Sequence, residues 1–368
     1  MLKNSKRAII LSLIVTSIFT STLAGCGTKR DAVKTNNNDA QLQVRPTKEA
    51  VKKEGKLISY GMPDTWANYS EIFKNVENQY GIIHQDTDMT SVEELSKFKA
   101  EKDKPVGDIG DVGITFGDIA KSQNIVQPYK NKYWNDVPDW AKDKDGYWTG
   151  AYTGTIAFFV NKKLVKDAPH SFKELLNPEY KKCISVGDVM KAAESQNAVL
   201  AAAYANGGDE KNIQPGIDFF KKLNAMGNLN NVDEKVSNFQ KGEIPIGIVW
   251  DFNALNYKKQ IDQAGDYEVV IPTDATVMSA YVSIINKYAP HPNAAKAFQD
   301  YLFSDQGQIN LAKGFARPIR KVNIPEDVKK QMMPDSDYKS AKTIKDYAVW
   351  NKTCKEIPDL WKQNILAQ

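Results

Sequence analysis

From Lys56 onward the chain alternates short β-prone runs with stretches whose apolar residues fall at helical spacing, which is the pattern of a parallel α/β fold. Residues 56–60 read as a first strand, broken by the turn-rich Gly61-Met62-Pro63-Asp64-Thr65-Trp66. Tyr69, Ile72, Phe73, Val76 and Tyr80 then give a helix over 67–80 one apolar face, and Gly81 closes it. Residues 82–84 are strand-like. The loop after them enters a helix that Thr90 or Ser91 caps, with Glu93 or Glu94 in its first turn. A third strand spans 109–114 and leads through Thr115-Phe116-Gly117-Asp118 into another helix.

The β-prone run 150–161 is longer than a mean strand of about six residues, so it can pass from one lobe to another. Beyond it the pattern predicts a short helix at 171–176, a strand at 183–186 and an Ala-rich helix at 192–205 ending in Asn206-Gly207-Gly208. Helices at 215–225 and 236–241 follow, then a buried strand at 244–250 that ends in Asp251-Phe252-Asn253. Strands at 268–271 and 281–285 flank a loop at 272–280, and helices start at Asn293 and Ser304. The tail after Arg320 reads as helical, interrupted by Pro325 and Pro334. Ligands of open parallel sheets bind beyond the carboxyl ends of the strands, so the loops after the strands are the first candidates for a site.

Ahead of all this stands a basic start (Lys3, Lys6, Arg7), an apolar run 8–19 and the box Leu23-Ala24-Gly25-Cys26. Charged and apolar regions in this order are those of a secretory signal. The box resembles the lipobox of bacterial lipoproteins, which implies acylation (palmitate) of Cys26, cleavage before it and an extracytoplasmic protein anchored to the cell membrane. Residues 26–46, polar and with an Asn run, read as a lipidated flexible tether.

Composition narrows the class. With the three basic residues of the 1–25 signal removed, 45 acidic residues nearly balance the basic ones and the rest of the chain is close to neutral. A nucleic-acid binder would show a clustered basic excess, so none is expected as partner. No Cys or His spacing reads as a zinc site, and no cofactor is implied. Cys183 and Cys354 could pair outside the cell or remain two buried thiols.

Several motifs then converge. The strand and loop 58–66, the run 152–161 followed by Ser171-Phe172-Lys173-Glu174-Leu175-Leu176, and His291-Pro292-Asn293-Ala294-Ala295-Lys296-Ala297-Phe298 with Ser304-Asp305-Gln306-Gly307-Gln308 resemble family 1 extracellular solute-binding proteins of ABC importers. The likeness is to the cluster for iron(III), polyamines, 2-aminoethylphosphonate and phosphate esters. It implies a two-lobed periplasmic-binding-protein-like α/β fold of type II with two hinge crossings, no enzymatic activity, a monomer, and a permease and ATPase as partners. Lobe 1 would hold 47–155 and 273–368, and lobe 2 would hold 156–272.

Within that frame the candidate ligand residues are Asp64 and Trp66 after the first strand, Thr90, Ser91 and Phe116 at helix starts, Trp250, Asp251 and Asn253 after the buried strand, and Tyr152 and Tyr281 near the crossings. Aromatic rings with carboxylates favour an amine, while free N–H groups at helix starts favour phosphate or phosphonate. Gly187-Asp188 with Ser195-Gln196-Asn197 offers a similar start in lobe 2. Ferric-binding members place two adjacent tyrosines in the cleft, and this chain has no Tyr-Tyr. His84, Asp86 and Asp88 share one strand face and are the metal-ligand alternative. Arg317 and Arg320 are candidates for pairing an anion, and His291 reads as structural. The competing functions are ferric-ion binding, a surface adhesin or sensor on the same fold, and a secreted hydrolase, against which stands the lack of a G-x-S-x-G motif.

Overall fold

The computed structural model describes residues 44–367, so the signal segment, Cys26 and most of the 26–46 tether lie outside the described residues. Among the described residues no helix is long and apolar enough to cross a membrane.

The first part of the chain winds as the pattern predicts: α1 (Lys48–Glu54), β1 (Lys56–Tyr60), α2 (Tyr69–Tyr80), β2 (Ile83–Thr87), α3 (Ser91–Ala100), β3 (Ile109–Gly113), α4 (Ile114–Ser122) and the short β4 (Val126–Gln127). The long β5 (Thr149–Asn161) leads to β6 (Ile184–Ser185), α5 (Ala193–Ala205), α6 (Gln214–Ala225), α7 (Val236–Gln240), β7 (Ile246–Trp250), α8 (Asp251–Ile261) and β8 (Tyr267–Val270). Then come β9 (Thr276–Asn286), α9 (Pro292–Leu302), α10 (Asp305–Lys313), β10 (Arg317–Pro318), α11 (Glu326–Lys329), β11 (Ala341–Thr343), α12 (Tyr347–Thr353) and α13 (Ile357–Trp361).

The sheet order β2-β1-β3-β9-β5-β7-β6 shows how the lobes connect. β1 lies parallel to both β2 and β3, and β9 joins them antiparallel to β3. β5 changes partner along its length. Its first half pairs with β9, from Thr149 opposite Ser283 to Thr155 opposite Met278. Its second half pairs with β7, from Ile156 opposite Trp250, and with β8. β5 and β9 are therefore the two crossings of a two-lobed α/β fold. Every residue of β5 is buried, and the strand accordingly shows no polar face, mixing β-branched and aromatic residues with the small Gly150, Ala151, Gly154 and Ala157.

Four elements differ from expectation. α4 begins at Ile114, directly after Gly113, so Thr115 and Phe116 lie in its first turn and not in a loop. The 272–280 loop shrinks because 276–278 pair with β11 and Met278 also with Thr155, which makes β9 an eleven-residue strand. Only Glu174–Leu176 winds in the 171–176 stretch, as one tight turn. The tail does not stay with lobe 1: α12 packs near α4, where Asn351 donates to Asp118 at 2.7 Å, but Trp361 of α13 meets Phe220 of α6 edge-on at 5.2 Å.

Cys183 and Cys354 are both free. The Cys354 thiol is buried against α5 and donates to Gln196 Oε1 at 3.0 Å, and burial pushes its pKa up to about 12. Half-exposed Cys183 donates to the Lys181 carbonyl, so the disulfide alternative does not hold in this arrangement.

Candidate functional site

The C-terminal ends of β1, β3 and β7 and the N-termini of α3, α4, α5 and α8 meet where the crossings pass between the lobes. Gly113 shows how closely they approach: a Cβ placed there would lie 2.5 Å from Ala193 Cβ in the other lobe. Glu93 and Lys191 form an ion pair across the same gap at 3.2 Å. Gly113 has φ −56°, which suits any residue, so contact and not strain demands glycine here. Gly113→Val is therefore expected to wedge the lobes apart with little loss of melting temperature. Small-angle scattering should show an open radius of gyration that added solute no longer reduces.

At the centre sits an aromatic block built from both lobes and both crossings. Trp66 stands edge-on to Phe252 and to Tyr281, each at 5.2 Å between ring centroids, and Tyr152 stacks parallel to Tyr281 at 5.6 Å. The Trp250 indole donates to the Tyr281 hydroxyl at 3.2 Å. A hydrogen-bond chain runs from Trp66 Nε1 to the Tyr152 hydroxyl and from that hydroxyl to Asp111 Oδ2, both at 2.5 Å. Asp111, on β3, is buried; its Oδ1 and the Tyr69 hydroxyl, which acts on it, both lack a hydrogen-bond partner among the described residues. Burial, only partly opposed by the hydroxyls of Tyr152 and Tyr69, raises its pKa to about 8.

Four more carboxyls crowd this place. Glu94 of α3 is buried beside Gly61 and Gly110, accepts from the Asp111 amide at 3.0 Å, and is pushed well above the carboxylate range by burial and then by Asp111. Asp86 at the end of β2 accepts from Ser59 and from the Met62 amide, and burial lifts it to about 6. From lobe 2, Glu194 accepts from the Trp250 amide and from Asn253, and burial lifts it to about 7. Glu234 is raised further by burial and then by the charge of Glu194, and its Oε2 has no partner among the described residues. The Tyr281 hydroxyl feels Glu194, Asp111 and Glu94 together, which places the two lobes' acids around one ring. None of these five carboxylates has an ion-pair partner among the described residues.

The sequence candidates divide. Trp66, Tyr152, Trp250, Asn253 and Tyr281 belong to this block or touch its acids. Phe116 is buried one turn into α4, close to Gly113. Thr90 is occupied by its capping box with Glu93, and Ser91 Oγ accepts from the Gly113 amide at 3.2 Å. Asp64 is exposed and caps nothing, because α2 starts after Asn68 in a left-handed conformation. Asp251 is committed internally: Oδ1 accepts from the Thr155 and Phe252 amides, and Oδ2 accepts from the Tyr338 hydroxyl.

The residues of the metal-ligand alternative are engaged locally. His84 stacks on Phe73 at 3.3 Å, burial takes its pKa down to about 3, and its neutral Nε2–H donates to Ser59, which donates in turn to Asp86. No group of three His, Cys, Asp or Glu among the described residues is placed to hold a metal ion. His291 is tied to buried Asp108 through both its amide and Nδ1, as a structural residue would be. Arg320 is held by the Phe303 carbonyl, Asp305 and Asp136, and Arg317 by Asp335 and the Met333 carbonyl, so neither is turned to an anion in the cleft.

Sequence reasoning missed Asp111, Glu94, Glu194 and Glu234. Two of them carried a signal. Asp111 interrupts a strand flanked by Gly110 and Gly113, and Glu94 shares the buried helical face of Ser91, Leu95 and Phe98. A charge on a buried face is the informative observation.

Comparison with known proteins agrees with this architecture. Residues 104–344 match the model of the family described as bacterial extracellular solute-binding protein. A sulfate-binding protein of Salmonella typhimurium is 28% identical over 182 residues, which cover 45% of this chain and 52% of that protein. The match thus spans between about half and two thirds of the length of the curated relatives. Among solved structures, the periplasmic binding protein AfuA of Actinobacillus pleuropneumoniae with bound fructose-6-phosphate superposes with a TM-score of 0.69 at 20% identity, covering 85% of this chain and 99% of that one. The spermidine/putrescine substrate-binding protein PotD of Streptococcus pneumoniae gives a TM-score of 0.60 at 17% identity, covering 84% and 98%. With two thirds of its length under one family model and that family's two-lobed fold in place, this chain belongs to the bacterial extracellular solute-binding proteins.

Proposed function

We propose that this chain is the receptor of an ABC importer, held at the membrane by lipid on Cys26, and that its solute is a small organic cation bearing an amine or ammonium group. The observation that carries the cation reading is Asp111, a fully buried carboxyl with one oxygen unpartnered, at the end of the Trp66 and Tyr152 chain and among four other unpaired carboxyls. An anion such as sulfate would enter a site already rich in acids, none of whose five carboxyls has an ion-pair partner among the described residues. An ammonium group would supply the missing charge and rest against aromatic faces. Capture would close the lobes by hinge motion at β5 and β9, with contacts from both sides favouring the closed form.

A second reading keeps the cation and adds an anionic group on the same molecule, as in an aminophosphonate. It is favoured by the start of α5, which faces Gly113 and has no side-chain cap. The family and fold speak for transport over the hydrolase, adhesin and sensor alternatives.

Thermal unfolding of the unlipidated chain against choline, spermidine, putrescine, 2-aminoethylphosphonate, sulfate, glycerol phosphate and ferric citrate tests the proposal. A tight ligand at about 100 times its Kd adds about 2.7 kcal/mol and raises the melting point measurably. A saturable shift from an amine and none from sulfate is expected. A shift from sulfate or glycerol phosphate alone would overturn the cation reading.

A further inference from the structure

Residues 333–343 pair with one crossing, β9, and reach the other, β5, through Arg317 and Asp251. Arg317 on β10, which pairs with Tyr152 and Thr153 of β5, donates to the Met333 carbonyl at 2.9 Å and lays its guanidinium 4.1 Å over the ring of Tyr338. Ser340 donates to the Pro272 carbonyl, and β11 then runs parallel to the 276–278 end of β9. Between these attachments the Tyr338 hydroxyl donates to Asp251 Oδ2 at 2.6 Å. Asp251 passes the contact on through Oδ1, which accepts at 2.9 Å from Thr155, where β5 changes lobes, and at 2.9 Å from Phe252 in the aromatic block. Trp250 and Asn253, on either side, bind Glu194.

We propose that the 333–343 segment is a third hinge element and that Tyr338 is a positioning residue, which sets the Trp250 and Phe252 pair through Asp251. Without the hydroxyl, Asp251 keeps a buried oxygen with no donor, and its orientation towards Thr155 of β5 rests on Oδ1 alone. The tail, 87 positions away in sequence, thereby reports on the cleft without lining it. The consequence for capture rests on the solute-binding reading above; the contact itself does not.

Amide hydrogen exchange on the full unliganded chain separates the two. In Tyr338→Phe, the Thr155 and Phe252 amides should exchange roughly tenfold faster while Val112 in β3 keeps its protection. In an Asp251→Ala background, which removes both contacts, the same change should add nothing. Unchanged protection at Thr155 and Phe252, equal acceleration of Val112, or full additivity with Asp251→Ala would each overturn the proposal. If Tyr338→Phe fails to fold, Arg317→Gln, which removes the stacking and keeps the hydroxyl, should give a smaller acceleration at the same two amides; no change there would also overturn it. Because no solute is needed, a failed ligand panel leaves this test intact. With an amine found by that panel, Tyr338→Phe should weaken its Kd roughly tenfold.

Discussion

Asp111→Asn is expected to yield a protein that is more stable than its parent at pH 8 and yet loses cationic solute by on the order of 100-fold in Kd. The two effects share one cause. Asp111 is fully buried, its pKa is raised to about 8, and it has no ion-pair partner among the described residues, so ionising it in the unliganded protein is costly. Asparagine fills the same space, still accepts from Tyr152, and removes that cost, which is on the order of 5 kcal/mol at pH 8. A bound ammonium would reverse the balance by supplying the charge that the carboxylate lacks. Calorimetric titration with the amine found by thermal shift, beside melting curves of the unliganded pair, checks both halves. Unchanged affinity in Asp111→Asn would remove Asp111 from the site. A large drop in melting temperature would mean that the carboxylate is structural.

The same residue shows how far the sequence could be read. The alternation of strands and helices and the length of β5 follow from local period, because each is decided within about a dozen neighbouring residues, whereas the division into lobes came from the family resemblance. Trp66, Tyr152, Trp250 and Tyr281 were visible because large rings beside strand ends have few other uses. The acids were not, since an Asp in β3 or a Glu in α3 looks like any solvated charge until the fold closes over it. Asp251 was misjudged for the converse reason: its partners Thr155 and Tyr338 lie 96 positions before it and 87 after it, and only the folded chain shows that both oxygens are taken. The tail is helical over Glu326–Lys329, Tyr347–Thr353 and Ile357–Trp361 as its pattern predicts, but β11 was not legible, because its three residues are placed by pairing with β9 and not by a pattern of their own.

Acidification should stabilise the unliganded protein and weaken its grip on a cation. Asp86, Glu194 and Asp111 have pKa values raised to about 6, 7 and 8, and Glu94 and Glu234 are raised as well. Burial is the main cause in each. Below about pH 4 these groups are protonated both folded and unfolded, and they contribute no pH dependence. As pH rises past 4 the unfolded chain ionises them while the folded one holds the protons, so stability falls. It keeps falling through the window up to about pH 8, where the last of the three with a stated value ionises in place. Each carboxyl still protonated in the folded state contributes about 1.4 kcal/mol per pH unit, before the sharing of protons between neighbours such as Glu194 and Glu234 reduces it. The melting temperature without solute should therefore rise by several degrees from pH 8 to pH 5. A bound cation favours the ionised acids, so it must expel protons, and its stabilisation should be largest at pH 8 and shrink towards pH 5. Melting curves at four pH values with and without the amine measure both slopes. A ligand shift that grows on acidification would point to an anionic solute and would count against every step that leads from Asp111 to an amine.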